Sequence, residues 1–162
     1  IAQLDSFVVE YIFSRSIYEQ VNGFEKFDLA WGSDIATWIK MGTQDGIKSI
    51  SGDFVYWRSS NRNITPNHKK EIVYRKIQID IDFLGWVNKR FNSRSMVVFN
   101  QYVFFRLLFY YSLILDRLQI KNMILLAYDR QIINRFTCRL FLIMSYINPH
   151  IKKVKNIYDN TK

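Results

Sequence analysis

The sequence is short of the residues that would define several common classes. It holds one cysteine, two prolines and six glycines in 162 residues. A single thiol, Cys138, excludes a disulfide framework within the chain and a cysteine-built metal site, and is compatible with a reducing compartment. So little proline and glycine, beside 49% hydrophobic and 17% aromatic residues, excludes a fibrous or disordered chain and points to a packed globular one. The most hydrophobic window, Val97 to Leu115, carries Asn100, Gln101 and Arg106. An arginine at mid-bilayer costs about 2.5–3.5 kcal/mol on insertion scales, so a membrane-spanning helix is not expected. The start, at Ile1, has neither a basic segment nor an uninterrupted apolar one, which is not a signal peptide, and reads as an excision point inside a longer protein. Glycine-rich phosphate loops and Gly-x-Ser-x-Gly elbows are absent. His68 and His150 lack a second ligand at metal spacing, so no metal is assigned.

Acidic residues are scarce where basic ones abound. Up to Pro66 there are six Lys and Arg against eight Asp and Glu; from Asn67 to Lys162 there are seventeen against six, within an overall charge of +9. The second part therefore faces an anionic partner or carries a solvated basic face. Its helices show no nucleic-acid motif, which favours a membrane surface over DNA or RNA.

Along the chain, Phe7 to Phe13 is a β-branched and aromatic run that reads as a buried strand. Ser16 to Asn22 fits a short helix capped by Ser16 and ended by Asn22-Gly23, with Phe24 turning back to the core. Glu25 to Trp31 reads as a loop. Gly32-Ser33 opens a second helix, whose Ile35, Trp38, Ile39 and Met41 follow helical spacing and which Gly42 ends. Gly46 to Ser60 is extended in composition and reads as one or two strands. At Thr65-Pro66 the pattern turns helical. Three helices are expected, to about Phe91, from about Met96 to Leu118, and from about Met123 to Ile147. Val73, Ile77, Ile81 and Leu84 mark the inner face of the first.

The stretch FSRSIYEQVNGFEKFDLAWGSDIATWIKMG resembles the second half of the catalytic domain of bacterial family-two, GT-A-type inverting glycosyltransferases. Tyr11 to Ser14, Ser16 to Asn22, Gly23-Phe24, the loop Glu25 to Ala30, and Asp34 followed by Trp38 stand in that family's order. Farther on, Trp57-Arg58 and the polar Ser59 to Thr65 resemble its aromatic-arginine strand end, so the likeness covers about Phe7 to Thr65. It implies an α/β fold, with a partial GT-A-like mixed sheet and flanking helices over residues 1–66; the basic, aromatic-rich extension of about three helices over 67–162 is read from its periodicity and charge. The resemblance also implies a nucleotide-sugar donor, a saccharide or lipid-linked acceptor, and work in the cytoplasm, at the inner face of the membrane. The family's Asp-x-Asp motif, which holds the donor and a divalent metal (Mg or Mn), belongs to an N-terminal half that this chain lacks. Asp80-Ile81-Asp82 has the letters but lies within a helix, and is read as surface charge. The chain alone is expected to be inactive.

By the same resemblance Asp34 is the general base that deprotonates the acceptor hydroxyl. A first-turn carboxylate is kept ionised by free backbone N–H groups, which suits that task and equally suits a plain helix start. Trp31, Gly32 and Ser33 line the acceptor side; Trp31 reads equally as a sugar-stacking ring or a core anchor, and Ser33 as the cap of the Asp34 helix. Trp38 is assigned to the core. Arg58 and Arg62 are placed near phosphate, a group that guanidinium binds in bidentate fashion, or else are surface residues. Two further readings concern the helical half: a membrane-peripheral module, and a homodimer formed through its wide apolar stripes.

Overall fold

The computed structural model describes residues 8–43, 46–52, 54–56 and 69–147. The chain divides into two compact units, Ile1–His68 and Lys69–Lys162. Among the described residues there are six α-helices and two short 3-10 turns, and no strand. The expected mixed sheet is thereby overturned, and the described fold is helical.

In the first unit, Val8–Glu10 forms a 3-10 turn where a strand was expected, and Tyr11 to Ser14 has no regular structure. A strand is stable only when its backbone groups find a neighbouring ladder, and no described segment supplies one. The aromatic residues satisfy their apolar surface in another way. The ring of Tyr11 stacks on Trp38 with centroids 4.4 Å apart and planes inclined by 14°. Phe13 lies against Tyr18, Phe24 and Trp38. β-propensity records how well a side chain fits a half-buried surface, and an aromatic cluster meets the same need. The second expected strand region fares likewise: residues 46–52 and 54–56 form no ladder, and Ile50, Phe54 and Tyr56 are exposed. Asp53 and residues 57–60 of that region lie outside the described residues, as do Phe7 and Thr65-Pro66.

The first helix, α1 (Arg15–Gln20), begins two residues earlier than expected, because Ser14 and not Ser16 is its cap: Ser14 Oγ accepts from Ile17 N at 3.3 Å. Its end follows the sequence reading. Asn22 and Gly23 are both left-handed (φ +59° and +75°), and Gly23 N donates to Tyr18 O at 2.8 Å. Helix α2 (Ser33–Gly42) occupies the expected span and buries Ala36, Thr37, Trp38 and Met41.

The second unit holds α3 (Lys70–Phe91), α4 (Arg94–Ser112), α5 (Arg117–Asp129) and α6 (Arg135–Ile147). Four helices stand where about three were expected. What reads as two continuous apolar helices is cut at Leu113 to Asp116 and at Arg130 to Asn134. The first cut is imposed by a capping box: Asp116 Oδ1 accepts from Gln119 N while Gln119 Oε1 accepts from Asp116 N. At the second, Gln131 takes a left-handed φ of +58° and Asn134 Oδ1 accepts from Thr137 N at 2.8 Å, restarting the chain as α6.

The core of this unit is built from Ile77, Ile81 and Leu84 of α3, Phe104 and Leu108 of α4, and Met123, Ile124 and Ala127 of α5, closed by Ile132, Ile133 and Cys138. The inner face of α3 is as the 3.6-residue spacing predicts, with Val73 packed at its edge. Two polar devices set the register. Asn100 Nδ2, buried on α4, donates to Asn88 Oδ1 at 2.6 Å and Leu84 O at 3.3 Å on α3. Arg130 Nε donates to Asp82 Oδ1 at 2.6 Å, fastening the α5–α6 turn to α3.

Candidate functional site

The site is built by one face of α2. Ser33, Thr37 and Lys40 recur at the spacing that places side chains above one another on a helix, and all three hold the preceding loop. Ser33 Oγ accepts from Phe27 N at 2.9 Å. Thr37 Oγ1 donates to Ser33 O at 2.6 Å and accepts from Glu25 N at 3.0 Å. Lys40 Nζ donates to Gly23 O at 3.3 Å and pairs with Glu25 Oε2 at 3.2 Å, where both side chains are largely withdrawn from solvent. The loop thus returns to the helix it precedes and is bound to it at three heights.

The loop then rises into α2 through a tight passage. Leu29 and Ala30 both take left-handed φ values (+55° and +54°), and Gly32, the residue before the helix, takes +71°. Three left-handed residues within four positions are strained for Leu and Ala and are held by the surrounding bonds. Ala30 N donates to Phe27 O and Trp31 N to Asp28 O, each at 3.1 Å. Gly32 takes its left-handed φ without the cost of about 1 kcal/mol that a side chain meets there.

This passage sets the positions of the expected site residues. Asp34 stands in the first turn of α2, half-buried, with Oδ1 accepting from Ile35 N at 2.9 Å. Trp31 is half-buried just before it. The structure therefore brings Trp31, Gly32, Ser33 and Asp34 together at one helix end. Ser33 is not the cap expected of it, because its hydroxyl is committed to the loop and Gly32 occupies the cap position. Trp38 is 5% exposed and belongs to the core, as expected. Arg58, Arg62, His68 and His150 lie outside the described residues.

An open depression of about 470 Å³ lies elsewhere on this unit, lined by Phe13, Arg15, Tyr18, Glu19 and Phe24. Asp34 is not among its lining residues. Aromatic faces flanked by a guanidinium and a carboxylate suit a polar molecule with apolar faces, such as a sugar. Among the described residues no three His, Cys, Asp or Glu side chains gather as a metal site would need. The resemblance places the divalent ion in the N-terminal half, and no metal-dependent step is assigned to these residues. Asp82, half of the Asp-x-Asp look-alike, is engaged by Arg130.

Sequence reasoning missed Thr37 and Lys40. The signal was present: two polar residues four and seven positions after Ser33, on a helix otherwise apolar after Asp34. No family model, no curated protein and no solved structure matches the chain.

Proposed function

We propose that the chain is the acceptor-side part of an inverting, nucleotide-sugar-dependent glycosyltransferase, with Asp34 as the base that activates the acceptor. The observation that carries this is the opening of α2. A loop bound at three heights and a left-handed Gly32 hold Trp31 and Asp34 at one helix end, with the carboxylate half-exposed. The reading gains no support from a sheet; it stands on the two helices, their connecting loop and the order of motifs from Tyr11 to Trp38.

In the proposed step, Asp34 takes the proton of an acceptor hydroxyl as that oxygen bonds to the anomeric carbon of the donor. The bond from that carbon to the diphosphate breaks, and the nucleoside diphosphate leaves with the electron pair. Inversion follows from a single displacement. Trp31 would offer an apolar ring to the acceptor, and by the resemblance Arg58 and Arg62 would meet the diphosphate. The donor half and its metal would be supplied by the N-terminal half that the resemblance requires.

The test is Asp34→Asn in the full-length protein. Turnover should fall by about 10²–10⁴, the usual contribution of a general base, with donor affinity nearly unchanged. Substantial remaining turnover removes the role from Asp34, and lost donor affinity moves it to the nucleotide side.

A second reading, a non-catalytic helical module that binds a surface or a copy of itself, is favoured by the many large apolar side chains on the outside of α4 and α6. The two readings part on one result: turnover of a nucleotide sugar by the full-length protein with Asp34 intact.

A further inference from the structure

Two helices of the Lys69–Lys162 unit carry ordered apolar stripes outward. On α4, Val98, Tyr102 and Phe109 are 58%, 54% and 75% exposed, opposite the buried Asn100, Phe104 and Leu108. On α6, Phe136, Leu140 and Ile143 are 76%, 45% and 56% exposed. Within each helix these residues recur at three, four or seven positions, so each set forms a continuous line along one side. The helices meet where the Phe105 and Phe141 rings lie 5.2 Å apart. Single exposed apolar residues are ordinary on a protein surface; continuous lines of them along a helix mark an interaction face.

The charges on these helices have one sign. Arg94 and Arg106 on α4 and Arg135 and Arg139 on α6 are exposed, and neither helix contains Asp or Glu. The Arg106 guanidinium stands 5.9 Å over the Tyr102 ring, which places a cation directly on the stripe. The unit's described carboxylates lie on α3 and at the two ends of α5.

That pairing of apolar lines with unopposed arginines selects the occupant. In a two-fold contact the face would meet itself, setting arginines against arginines with no carboxylate between them. Duplex nucleic acid would use the arginines and leave the aromatic lines in water, and a single strand, which stacks its bases on rings, would leave the aliphatic Val98, Leu140 and Ile143 unused. A lipid surface uses both: the apolar side chains enter the boundary between headgroups and acyl chains, and the arginines meet the headgroup phosphates. We propose that the outer face of α4 and α6 docks the chain on an anionic membrane surface. The proposal is independent of the role assigned to Asp34.

The experiment is flotation of the full chain with vesicles of phosphatidylcholine alone and of phosphatidylcholine with a minor share of phosphatidylglycerol. Binding to the anionic vesicles should be tighter by at least roughly tenfold at low salt, with the preference shrinking as salt is added. Changing Arg94, Arg106, Arg135 and Arg139 together to Gln should bring anionic binding down to the neutral level. Phe109→Asp combined with Phe136→Asp should weaken binding to both vesicles, while the helical circular dichroism and its thermal melt stay unchanged, since both positions are exposed. The proposal is overturned by equal binding to the two vesicles or by none. It is overturned as well by a concentration-dependent dimer that Phe109→Asp abolishes in sedimentation, or by duplex DNA held more tightly than the anionic vesicles and unaffected by that change.

Discussion

At the scale of the residue, the most informative contact joins positions 48 apart in sequence. Arg130 Nε donates to Asp82 at 2.6 Å, and the same guanidinium reaches Asp129 Oδ2 through Nη1 at 2.6 Å. The hydrogen bond to Asp82 is the main cause holding the Arg130 pKa above the ordinary value, with both carboxylates adding to it. The approach is made possible by Gly85, one turn after Asp82. A Cβ added there would lie 2.8 Å from the Arg130 Cβ. Gly85→Ala is therefore expected to destabilise the second unit by about 1–3 kcal/mol, the usual effect of forcing a methyl group into filled space. Asp82→Ala, which removes a partly exposed ion pair and leaves the packing intact, should cost about 1 kcal/mol or less. Thermal melts of the two variants check the order. An equal or larger loss for Asp82→Ala would mean that charge, and not the close approach, fixes the turn. None of this was legible in the sequence, where Gly85 interrupts a good helical pattern and Asp82 reads as a surface charge. A helix glycine shows only that something comes close, not what.

At the scale of the element, sequence was a good guide wherever a local pattern was decisive. The C-terminal ends of α1 and α2, the inner face of α3 and its termination near Phe91 all follow from spacing and from Asn22-Gly23, Gly42 and the polar Asn92 to Ser95, of which Arg94 and Ser95 already belong to α4. It fails in three ways, the first at the helix starts, where Ser14 and Gly32 stand at the caps expected of Ser16 and Ser33. The β-branched and aromatic run at Phe7 to Phe13 reads as a buried strand, but composition cannot supply its partner, because a strand is a property of two segments. The cuts that make α5 and α6 separate helices were hidden beneath continuous apolar periodicity. The capping box Asp116-x-x-Gln119 was a readable signal, and its strength is testable. Asp116→Ala removes the acceptor for Gln119 N and should cost about 0.5–2 kcal/mol. Chemical denaturation should record the loss in the midpoint with little change in slope. An unchanged midpoint would mean that Leu115, buried just before it, and not the cap, sets where α5 begins. The candidate site was legible to the same degree: the positions of Trp31 to Asp34 at a helix opening, but not the left-handed passage through Leu29, Ala30 and Gly32 or the loop bonds of Thr37 and Lys40.

At the scale of the whole molecule, the composition changes at the place where the chain divides. The part of the sequence with more acidic than basic residues lies in Ile1–His68 and the basic part in Lys69–Lys162. The buried apolar cluster draws every member from the second of these, from Ile77 to Cys138, with side chains from Val73 to Leu142 packed around it. Four helices of 22, 19, 13 and 13 residues close on that cluster through short connections, and chains of this length with mainly local contacts fold readily. The first unit is smaller, and its burial rests on α2 and on the rings gathered around Trp38. Residues 69–162 expressed alone should therefore be helical and unfold in one cooperative transition, whereas the whole chain should unfold in two steps. Calorimetry and far-ultraviolet circular dichroism of both chains are the measurements. Phe104→Ala, which empties the largest fully buried side chain in that core, should lower the transition of residues 69–162 by about 3–5 kcal/mol in either context. A helical signal without a cooperative melt in the shorter chain would show that the cluster from Ile77 to Cys138 does not suffice, and that the two units are one folding unit despite the division in their contacts.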